Sequence, residues 1–546
     1  MHLPNLRRPP AAARSRVEVD IEAEAEAVDS SIATTEKNAS TDLSSSATQT
    51  YVVALPSDKG AVPTETLIVG DTLYARAQRF AGRFGVEQRG IERVPSDERS
   101  GASMSHICTL WLSANMAVSS FALGVLAIPV FNLGFIDAML TILFVNVFSI
   151  IPVCFFSTFG PRFGLRQMVL SRFYFGYYGV KIIVVCNIFT CVGWSAVNVI
   201  VGAQLLNAVN KSMPSWAGIV IIAAGTFLVT LFGYRVVHAY ERFAWIPCFL
   251  IYMIVLGEFA HSGQFENLPM GVGKSEVGSV LSFAASIFGF SSGWASFAAD
   301  YTVYQPVDRP SRSIFAWTFL GLIFPMLFTQ MLGCAVMTAS HSNADFLAGY
   351  EGAGVGGLLG AVLVPRLGGF GQFCLVVLAL STVANNCPNI YSVSLTLQLV
   401  ARKSQRVPRF VWTFISSLAY CAIAIPGYSA FEDFLENFML VMAYWLAIYE
   451  GVALTEHFCY KRGMQGYRPE HYTEPSKLPP GFAAVTAFAF GVMGAVLGMA
   501  QSWFIGPVGR LCGTEYGGDL GFELGFSFSA LSYGALRYFE KRHFGR

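Results

Sequence analysis

The sequence predicts an all-α protein that crosses a lipid bilayer about twelve times. Of its 546 residues, 54% are hydrophobic and 13% are charged, which is too few charges to cover a soluble protein of this size. The mean hydropathy is +0.50. From Cys108 onward, apolar runs of about 20 residues recur, and a helix of that length crosses a hydrocarbon core of ~30 Å. These observations indicate a polytopic helical membrane protein.

Residues 1–100 precede the first apolar run, and we expect them to form a disordered cytoplasmic tail. They are poor in large apolar residues and include a Ser/Thr-rich tract at 40–50, so they cannot bury enough surface to fold alone. Their last part, 75–99, alternates Arg with Glu and apolar residues, which suits a solvated connector or a gating or sorting segment. Arg7 and Arg8 are followed by Pro and Ala rather than by an apolar core, so we expect no cleaved signal peptide.

Twelve candidate spans follow the tail. They are approximately 108–130, 137–158, 178–208, 216–234, 241–260, 279–301, 313–339, 371–399, 410–427, 433–455, 481–503 and 520–538. An even number of spans places both termini on one side of the membrane. Connections after even-numbered spans carry most of the Lys and Arg residues, including Arg162, Arg309 and Arg409, so the positive-inside rule predicts cytoplasmic termini. Residues 457–480 then form a cytoplasmic loop, and 481–546 hold the last two spans and a short cytoplasmic C-terminal tail.

The first and sixth spans each contain a pair of serines followed by small residues. The pairs are Ser119 with Ser120, and Ser291 with Ser292. Gly and Ser hold a helix poorly and can satisfy unwound backbone, so both spans are candidates for broken helices, although small residues equally serve close helix packing. Two broken helices five spans apart predict two five-helix repeats of inverted topology, 101–260 and 261–456, with a site between them at mid-membrane.

Polar side chains in the third span predict one wall of that site. Trp194 and Asn198 lie four residues apart and therefore share a helix face, and Gly202 leaves space one turn further on. An indole beside an amide suits a planar heterocycle, because the amide both donates and accepts hydrogen bonds. A contact between helices, in which Asn198 bonds a neighbour and Trp194 fills space, explains the same residues equally well.

The eighth span carries the densest polar group of the chain, with three amides within five residues. Asn385 and Asn389 share a face and can read a ligand, whereas Asn386 is turned about 100° away and can brace a neighbouring helix. Pro388 removes one helical N–H and frees a carbonyl one turn back. In the sixth span, Trp294 can form the second plate of an aromatic clamp opposite Trp194, or it can fill the gap beside a glycine.

The residues that other classes of function require are scarce. The net charge is +1 without a basic block, so we expect no nucleic-acid partner. The 11 cysteines show no CxxC or other metal-ligand spacing, so we expect neither a metal site nor a cofactor. The eight histidines lie mostly in tails or connections, and an enzyme is therefore not expected. The sequence predicts no particular oligomeric state.

Seven segments together resemble fungal purine-cytosine permeases of the nucleobase-cation-symport-1 family. They are 89–95 (RGIERVP), 111–116 (WLSANM), 124–130 (GVLAIPV), 155–161 (FFSTFGP), 193–204 (GWSAVNVIVGAQ), 298–301 (AADY) and 385–392 (NNCPNIYS). The resemblance fades in the N-terminal tail and in the last two spans. It implies twelve helices, with the first ten arranged as the five-plus-five inverted repeat of the leucine-transporter type.

The resemblance also implies a function and a set of substrate contacts. The implied contacts are Ser120, Trp194, Asn198, Trp294, Asn385, Asn386, Pro388 and Asn389. We therefore expect a secondary active transporter that imports purine bases and cytosine across the plasma membrane by alternating access. The coupling ion is H⁺ by resemblance alone, and a sodium site with hydroxyls such as Ser392 or Ser394 is the alternative. A carrier for uracil, allantoin or thiamine, and a nucleobase sensor that does not transport, are the competing hypotheses.

Overall fold

A computed structural model describes residues 49–53, 65–69, 91–99, 103–231, 234–401, 404 and 407–546. The chain divides into two units, Met1–Arg76 and Ala77–Arg546. In the first unit, strands β1 (Gln49–Val53) and β2 (Glu65–Val69) pair antiparallel. Both segments contain β-branched residues, which favour strands. The rest of the expected tail up to residue 90 lies outside the described residues, so its disorder stays a prediction.

The second unit is built almost entirely from α-helices. In chain order they are α1 (Ser105–Asn115), α2 (Val118–Val125), α3 (Phe135–Ser157), α4 (Phe159–Phe163), α5 (Gln167–Leu170), α6 (Arg172–Val209), α7 (Ser215–Leu231), α8 (Tyr234–Ser262), α9 (Gly273–Ser292), α10 (Ser311–Thr338), α11 (Ala344–Leu367), α12 (Gly369–Val400), α13 (Arg409–Gly427), α14 (Phe431–Thr455), α15 (Phe482–Gly498) and α16 (Gly521–Phe544). A short strand pair, β3 (Ala500–Gln501) with β4 (Phe504–Ile505), lies between the last two helices.

Each predicted apolar run coincides with a helix or a broken helix. Among the described residues, eight helices are long and apolar enough to cross a membrane, or nine if the bent pair α1 and α2 is one span. That number differs from the predicted twelve because α13 and α14 form one continuous stretch of 53 residues, and because α7 and α15 are only 17 residues long. The count also leaves out α16, at the predicted twelfth span, and includes α11, which was not predicted. The most enclosed spans contain α12, α9 and α6, with 78%, 72% and 67% of their apolar windows buried.

The first and sixth spans are both broken. Between α1 and α2 the chain bends by 54° at Met116 and Ala117, where Ala117 adopts an extended conformation. This break lies just before Ser119 and Ser120, which begin the next half-helix rather than ending the first. The sixth span breaks where expected, because α9 ends at Ser292 and continues as two 3₁₀ turns, Gly293–Ser296 and Ala298–Tyr301.

Helix α11 was not among the predicted spans. It is kinked at Ala353 and Gly354, where Gly354 has a φ of 54°. Gly357 approaches Gly349 so closely that a Cβ atom on Gly357 would lie 1.9 Å from the Gly349 carbonyl oxygen. Residues eight apart in a straight helix are separated by about 12 Å, so α11 folds back on itself as a short hairpin. It packs on α6 at Gln204, where a Cβ atom on Gly356 would lie 2.3 Å from the backbone.

Residues 91–99 pack against the turn after α4, although they belong to the segment predicted as a tail. The Val94 amide donates to the Gly164 carbonyl at 2.8 Å, and the Arg99 guanidinium donates to the Pro161 carbonyl at 2.8 Å. Val94 is 1% exposed. The end of α4 leaves carbonyl groups without helical partners, and these residues satisfy them. The ordered region therefore begins before the predicted boundary at residue 100.

Candidate functional site

A small cavity lies where the break after α9 faces α6 and α12. It is lined by Trp194, Phe290, Gly293, Trp294, Phe297, Asn385 and Asn389. Trp194, Trp294, Asn385 and Asn389 are the predicted site residues that the fold brings together here.

Trp194 is held on edge by two phenylalanines. Its ring makes T-shaped contacts with Phe290 at 5.0 Å and with Phe438 at 5.7 Å between centroids. A Cβ atom on Gly193 would lie 2.2 Å from the Phe438 ring, so only glycine at position 193 leaves room for this contact. A Cβ atom on Gly293 would lie 3.4 Å from Trp194 Nε1, which places the nitrogen edge of the indole beside the broken segment.

Trp294 is fixed from the side of α1. Its Nε1 donates a hydrogen bond to Asn115 Oδ1 at 3.0 Å. The ring makes T-shaped contacts with Trp111 and Phe297, both at 5.3 Å between centroids. Trp194 and Trp294 are 7% and 6% exposed, respectively. Both indoles therefore face the interior of the protein and the same cavity, and neither faces lipid.

The two amides that line the cavity both donate hydrogen bonds from their nitrogen atoms to backbone carbonyls. Asn385 Nδ2 donates to the Ala114 carbonyl of α1, and Asn389 Nδ2 donates to the Asn385 carbonyl at 3.2 Å. An amide oxygen in either place would face another oxygen, so the network fixes the orientation of both groups. The buried Oδ1 atom of Asn389 accepts no hydrogen bond from the described residues. The cavity therefore combines aromatic walls with amide oxygens that can accept hydrogen bonds.

The other predicted site residues do not line this cavity. Asn198 donates to the Trp194 carbonyl at 2.9 Å, within its own helix. Ser120 accepts a hydrogen bond from Thr329 at 2.8 Å. Asn386 donates to Thr226 of α7 at 3.4 Å, which is the bracing contact expected from its position on α12. Pro388 lies inside α12, which continues through it. Substrate contact by Ser120, Asn198, Asn386 and Pro388 stays a prediction.

The fold also supplies residues that sequence reasoning missed. Phe290 and Phe297 form part of the cavity wall, and Asn115 lies behind Trp294. Asn115 had a detectable signal, because it is an amide within an apolar run just before a helix break. The phenylalanines had no such signal, since aromatic residues are frequent throughout the spans.

The fold and the cavity define a membrane transport protein. The cavity lies among the most enclosed spans and beside a broken helix, as in carriers that bind solutes between helical repeats. No residue that lines it is an acid, a base or a nucleophile of the kind that hydrolytic enzymes use. Among the described residues, no group of three or more His, Cys, Asp or Glu side chains is placed to hold a metal ion.

The chain belongs to the family of permeases for cytosine/purines, uracil, thiamine and allantoin, whose model matches residues 93–517. It is 58% identical to the purine-cytosine permease fcyB of Emericella nidulans over 90% of this chain and 96% of that protein. It is 31% identical to the vitamin B6 transporter TPN1 of Saccharomyces cerevisiae over 85% of this chain and 89% of that protein. The family consists of permeases and not of enzymes.

Solved structures confirm the fold. The inward-facing structure of Mhp1 matches with a TM-score of 0.63 at 14% sequence identity, covering 84% of this chain and 96% of that one. Mhp1, a nucleobase-cation-symport-1 family transporter, matches equally in its closed conformation with bromovinylhydantoin bound, with a TM-score of 0.63. The predicted all-α fold of the leucine-transporter type is thus confirmed, whereas the number of twelve spans and the inverted repeat stay predictions.

Proposed function

We propose that this chain is a secondary active transporter that imports purine bases and cytosine by proton symport. It alternates between states open to either side of the plasma membrane, with both termini in the cytoplasm. The cavity between Trp194 and Trp294, with the amide oxygens of Asn385 and Asn389 at its edge, carries the proposal. The names of the relatives support it, because fcyB and FCY2 of Saccharomyces cerevisiae are purine-cytosine permeases, the latter 44% identical over 86% of this chain and 89% of that protein.

Stacking supplies the general affinity for a flat ring. Base stacking on an aromatic side chain contributes roughly 1–3 kcal/mol in nucleic-acid complexes and tolerates every base. Trp194 and Trp294 offer two such surfaces, and Phe290 and Phe297 complete an apolar enclosure. A small uncharged base therefore enters at lower cost than a charged ligand, whose desolvation no charged residue of the cavity lining would offset.

Hydrogen bonds at the ring edge supply selectivity. Because both Nδ2 groups are engaged by backbone carbonyls, the amides of Asn385 and Asn389 present oxygens. These oxygens pair with N–H groups, which means an exocyclic amine or a protonated ring nitrogen of the base. A ring without a matching donor leaves a buried acceptor unpaired, at a cost of about 1–3 kcal/mol. The preferred substrate is therefore a base that presents N–H groups to these oxygens.

Competition of labelled cytosine uptake tests this function. Unlabelled adenine, guanine and hypoxanthine are expected to compete, whereas N-methylated analogues that lack the edge donors are expected to fail. Replacing Asn389 with Ala removes one acceptor, and we expect the KM for cytosine to rise roughly 5- to 150-fold. Asn437→Ala is the control, because Asn437 is only partly buried and bonds Asp433 of its own helix and Ser502, neither of which lines the cavity. An unchanged KM in Asn389→Ala would contradict the hypothesis that Asn389 recognises the edge of the base.

Other substrates remain candidates within the same pocket. The family description includes uracil, thiamine and allantoin, and one relative is a vitamin B6 transporter. Competition by any of these compounds at concentrations below those of the purines would reassign the substrate. Accumulation of labelled base against its gradient in vesicles distinguishes a transporter from a sensor, which would bind the base without accumulating it.

A further inference from the structure

The last turn of α1 contacts two of the elements that carry the cavity. Asn115, the final residue of α1, is fully buried at 0% exposure and accepts the hydrogen bond from Trp294 Nε1 at 3.0 Å. Its neighbour Ala114 supplies the carbonyl that orients the amide of Asn385 on α12. Asn115 and Ala114, at the break of the first span, therefore hold Trp294 at the break of the sixth span and Asn385 on α12.

The orientation of the Asn115 amide is set by its own helix. Asn115 Nδ2 donates to the Trp111 carbonyl at 3.0 Å, four residues back. Because the nitrogen donates to the Trp111 carbonyl, the oxygen faces the indole N–H of Trp294. An amide flipped by about 180° would lose both of these hydrogen bonds. One side chain thus satisfies a carbonyl at the end of α1 and a buried donor on the broken segment.

The rotation of the Trp294 ring depends on this bond. Trp111 and Phe297 both meet the ring at T-shaped angles, 76° and 77°, and such contacts restrain its tilt. The hydrogen bond to Asn115 is the directional contact among those of the ring. If the acceptor is removed, the buried N–H of Trp294 is left unpaired. Rotation of the ring toward another acceptor would then lower the free energy.

We propose that Asn115 is a positioning residue for the nucleobase site, acting through Trp294. It fixes the rotation of the indole ring that lines the cavity. This inference rests on the proposed function, since the face of the indole matters for a flat substrate. Asn115 does not line the cavity and therefore does not contact the base itself.

A double-mutant cycle in uptake assays tests the proposal. Asn115→Leu preserves the approximate side-chain volume and removes the acceptor, and Trp294→Phe preserves a flat ring and removes the donor. We expect Asn115→Leu to raise the KM for cytosine roughly 5- to 150-fold with little change in the maximal rate per transporter at the surface. The double variant should have the KM of Trp294→Phe alone, because the bond is already lost. Independent, multiplicative effects of the two substitutions would overturn the proposal.

Two further variants separate positioning from stability. Asn115→Asp keeps an oxygen at the same place, so its KM should lie closer to wild type than that of Asn115→Leu. Asn187→Leu removes another fully buried amide, which joins α6 to α12 through Thr396 at 2.9 Å and lies outside the cavity lining. It should lower the surface amount without changing the KM. An equal rise of KM in Asn187→Leu would show a general packing effect and overturn the proposal.

The failure of the inference is distinguishable from failure of the proposed function. If the wild-type chain takes up none of the bases, the proposed function fails and the inference falls with it. If the wild-type chain transports cytosine and Asn115→Leu has a wild-type KM, only the inference fails. If Asn115→Leu does not reach the membrane, Asn115→Ala, which also removes the acceptor, takes its place: a raised KM supports positioning, and a wild-type KM contradicts it.

Discussion

Gly289 and Gly293 lie one helical turn apart, yet only Gly293 borders the cavity. A Cβ atom on Gly289 would lie 2.0 Å from the Met439 carbonyl oxygen, so α9 and α14 would have to separate. A Cβ atom on Gly293 would meet Trp194 Nε1 and the Met442 side chain at 3.4 Å, which is ordinary contact. The two positions are therefore close to each other in the chain but differ in what an added methyl group would disturb.

We expect Gly289→Ala to reduce the amount of folded transporter, and Gly293→Ala to fold normally with a smaller cavity. The loss of space should raise the KM for adenine more than that for the smaller cytosine. Surface quantification combined with uptake of both bases measures these effects. Equal changes for adenine and cytosine in Gly293→Ala would show that this glycine does not limit the size of the substrate.

Single residues were predictable where a polar group in an apolar run needs a partner. Trp194, Trp294, Asn385 and Asn389 met that criterion, and all four line the cavity. Asn198 met it too, but its amide donates to the Trp194 carbonyl one turn back in the same helix. The spacing of residues in the sequence cannot distinguish such a bond from a contact with a ligand. The orientation of each amide was also unpredictable, because it depends on the Ala114 carbonyl and the other backbone acceptors that only the fold brings near.

A buried ion pair joins the end of α14 to α16. Glu456 begins a π-helical turn, and its carboxylate lies 3.1 Å from Arg537 Nε and accepts a hydrogen bond from Tyr533 at 2.9 Å. The two charged side chains are 0% and 3% exposed. Removing one partner would leave the other charge buried without its counter-charge, which typically costs about 3–5 kcal/mol.

Arg537→Met should therefore lower the thermal stability of the purified transporter markedly. The paired variant Arg537→Met with Glu456→Gln should recover part of that loss, because Glu456 then no longer leaves an uncompensated charge. Recovery should be incomplete, because Arg537 also bonds the buried Glu540 at 2.9 Å. Lys477→Met is the matched control, since its pair with Glu474 is 48% and 43% exposed, and exposed pairs contribute about 0–1 kcal/mol. Unfolding followed by intrinsic fluorescence measures the three variants. Equal losses in Arg537→Met and Lys477→Met would contradict the structural role of the buried pair.

Elements were predictable where length and hydropathy define them. The apolar runs gave the positions of the long helices, and the small residues of the sixth span gave its break at Ser292. The break in the first span lies at Met116 and Ala117, just before the serine pair from which it was predicted. The hairpin of α11 escaped prediction, since its glycines interrupt the apolar run and its fold depends on contact with α6.

At the scale of the whole molecule, the connection between α4 and α6 bonds three other elements. Gln167 donates from its backbone to Asp300 at 2.7 Å and from its side chain to Tyr449 at 2.8 Å. Arg166 donates to Tyr391 of α12 at 2.9 Å. These bonds join the connection between α4 and α6 to the broken segment, α14 and α12.

The driving ion is a property of the complete carrier, and the cavity lining holds no charged residue that identifies it. With proton symport, collapse of the pH gradient by a protonophore should abolish accumulation of labelled cytosine, and replacement of sodium by choline should leave it unchanged. Uptake into cells or vesicles under both conditions measures this. Accumulation that survives the protonophore and requires sodium would contradict proton coupling.

A structure of the transporter with cytosine bound tests the account most directly. The account predicts that the base lies between the indoles of Trp194 and Trp294, with its N–H groups on the side-chain oxygens of Asn385 and Asn389. Trp294 should still donate to Asn115 in that complex. A base bound away from these indoles, or one that meets the amides through their nitrogen atoms, would contradict it.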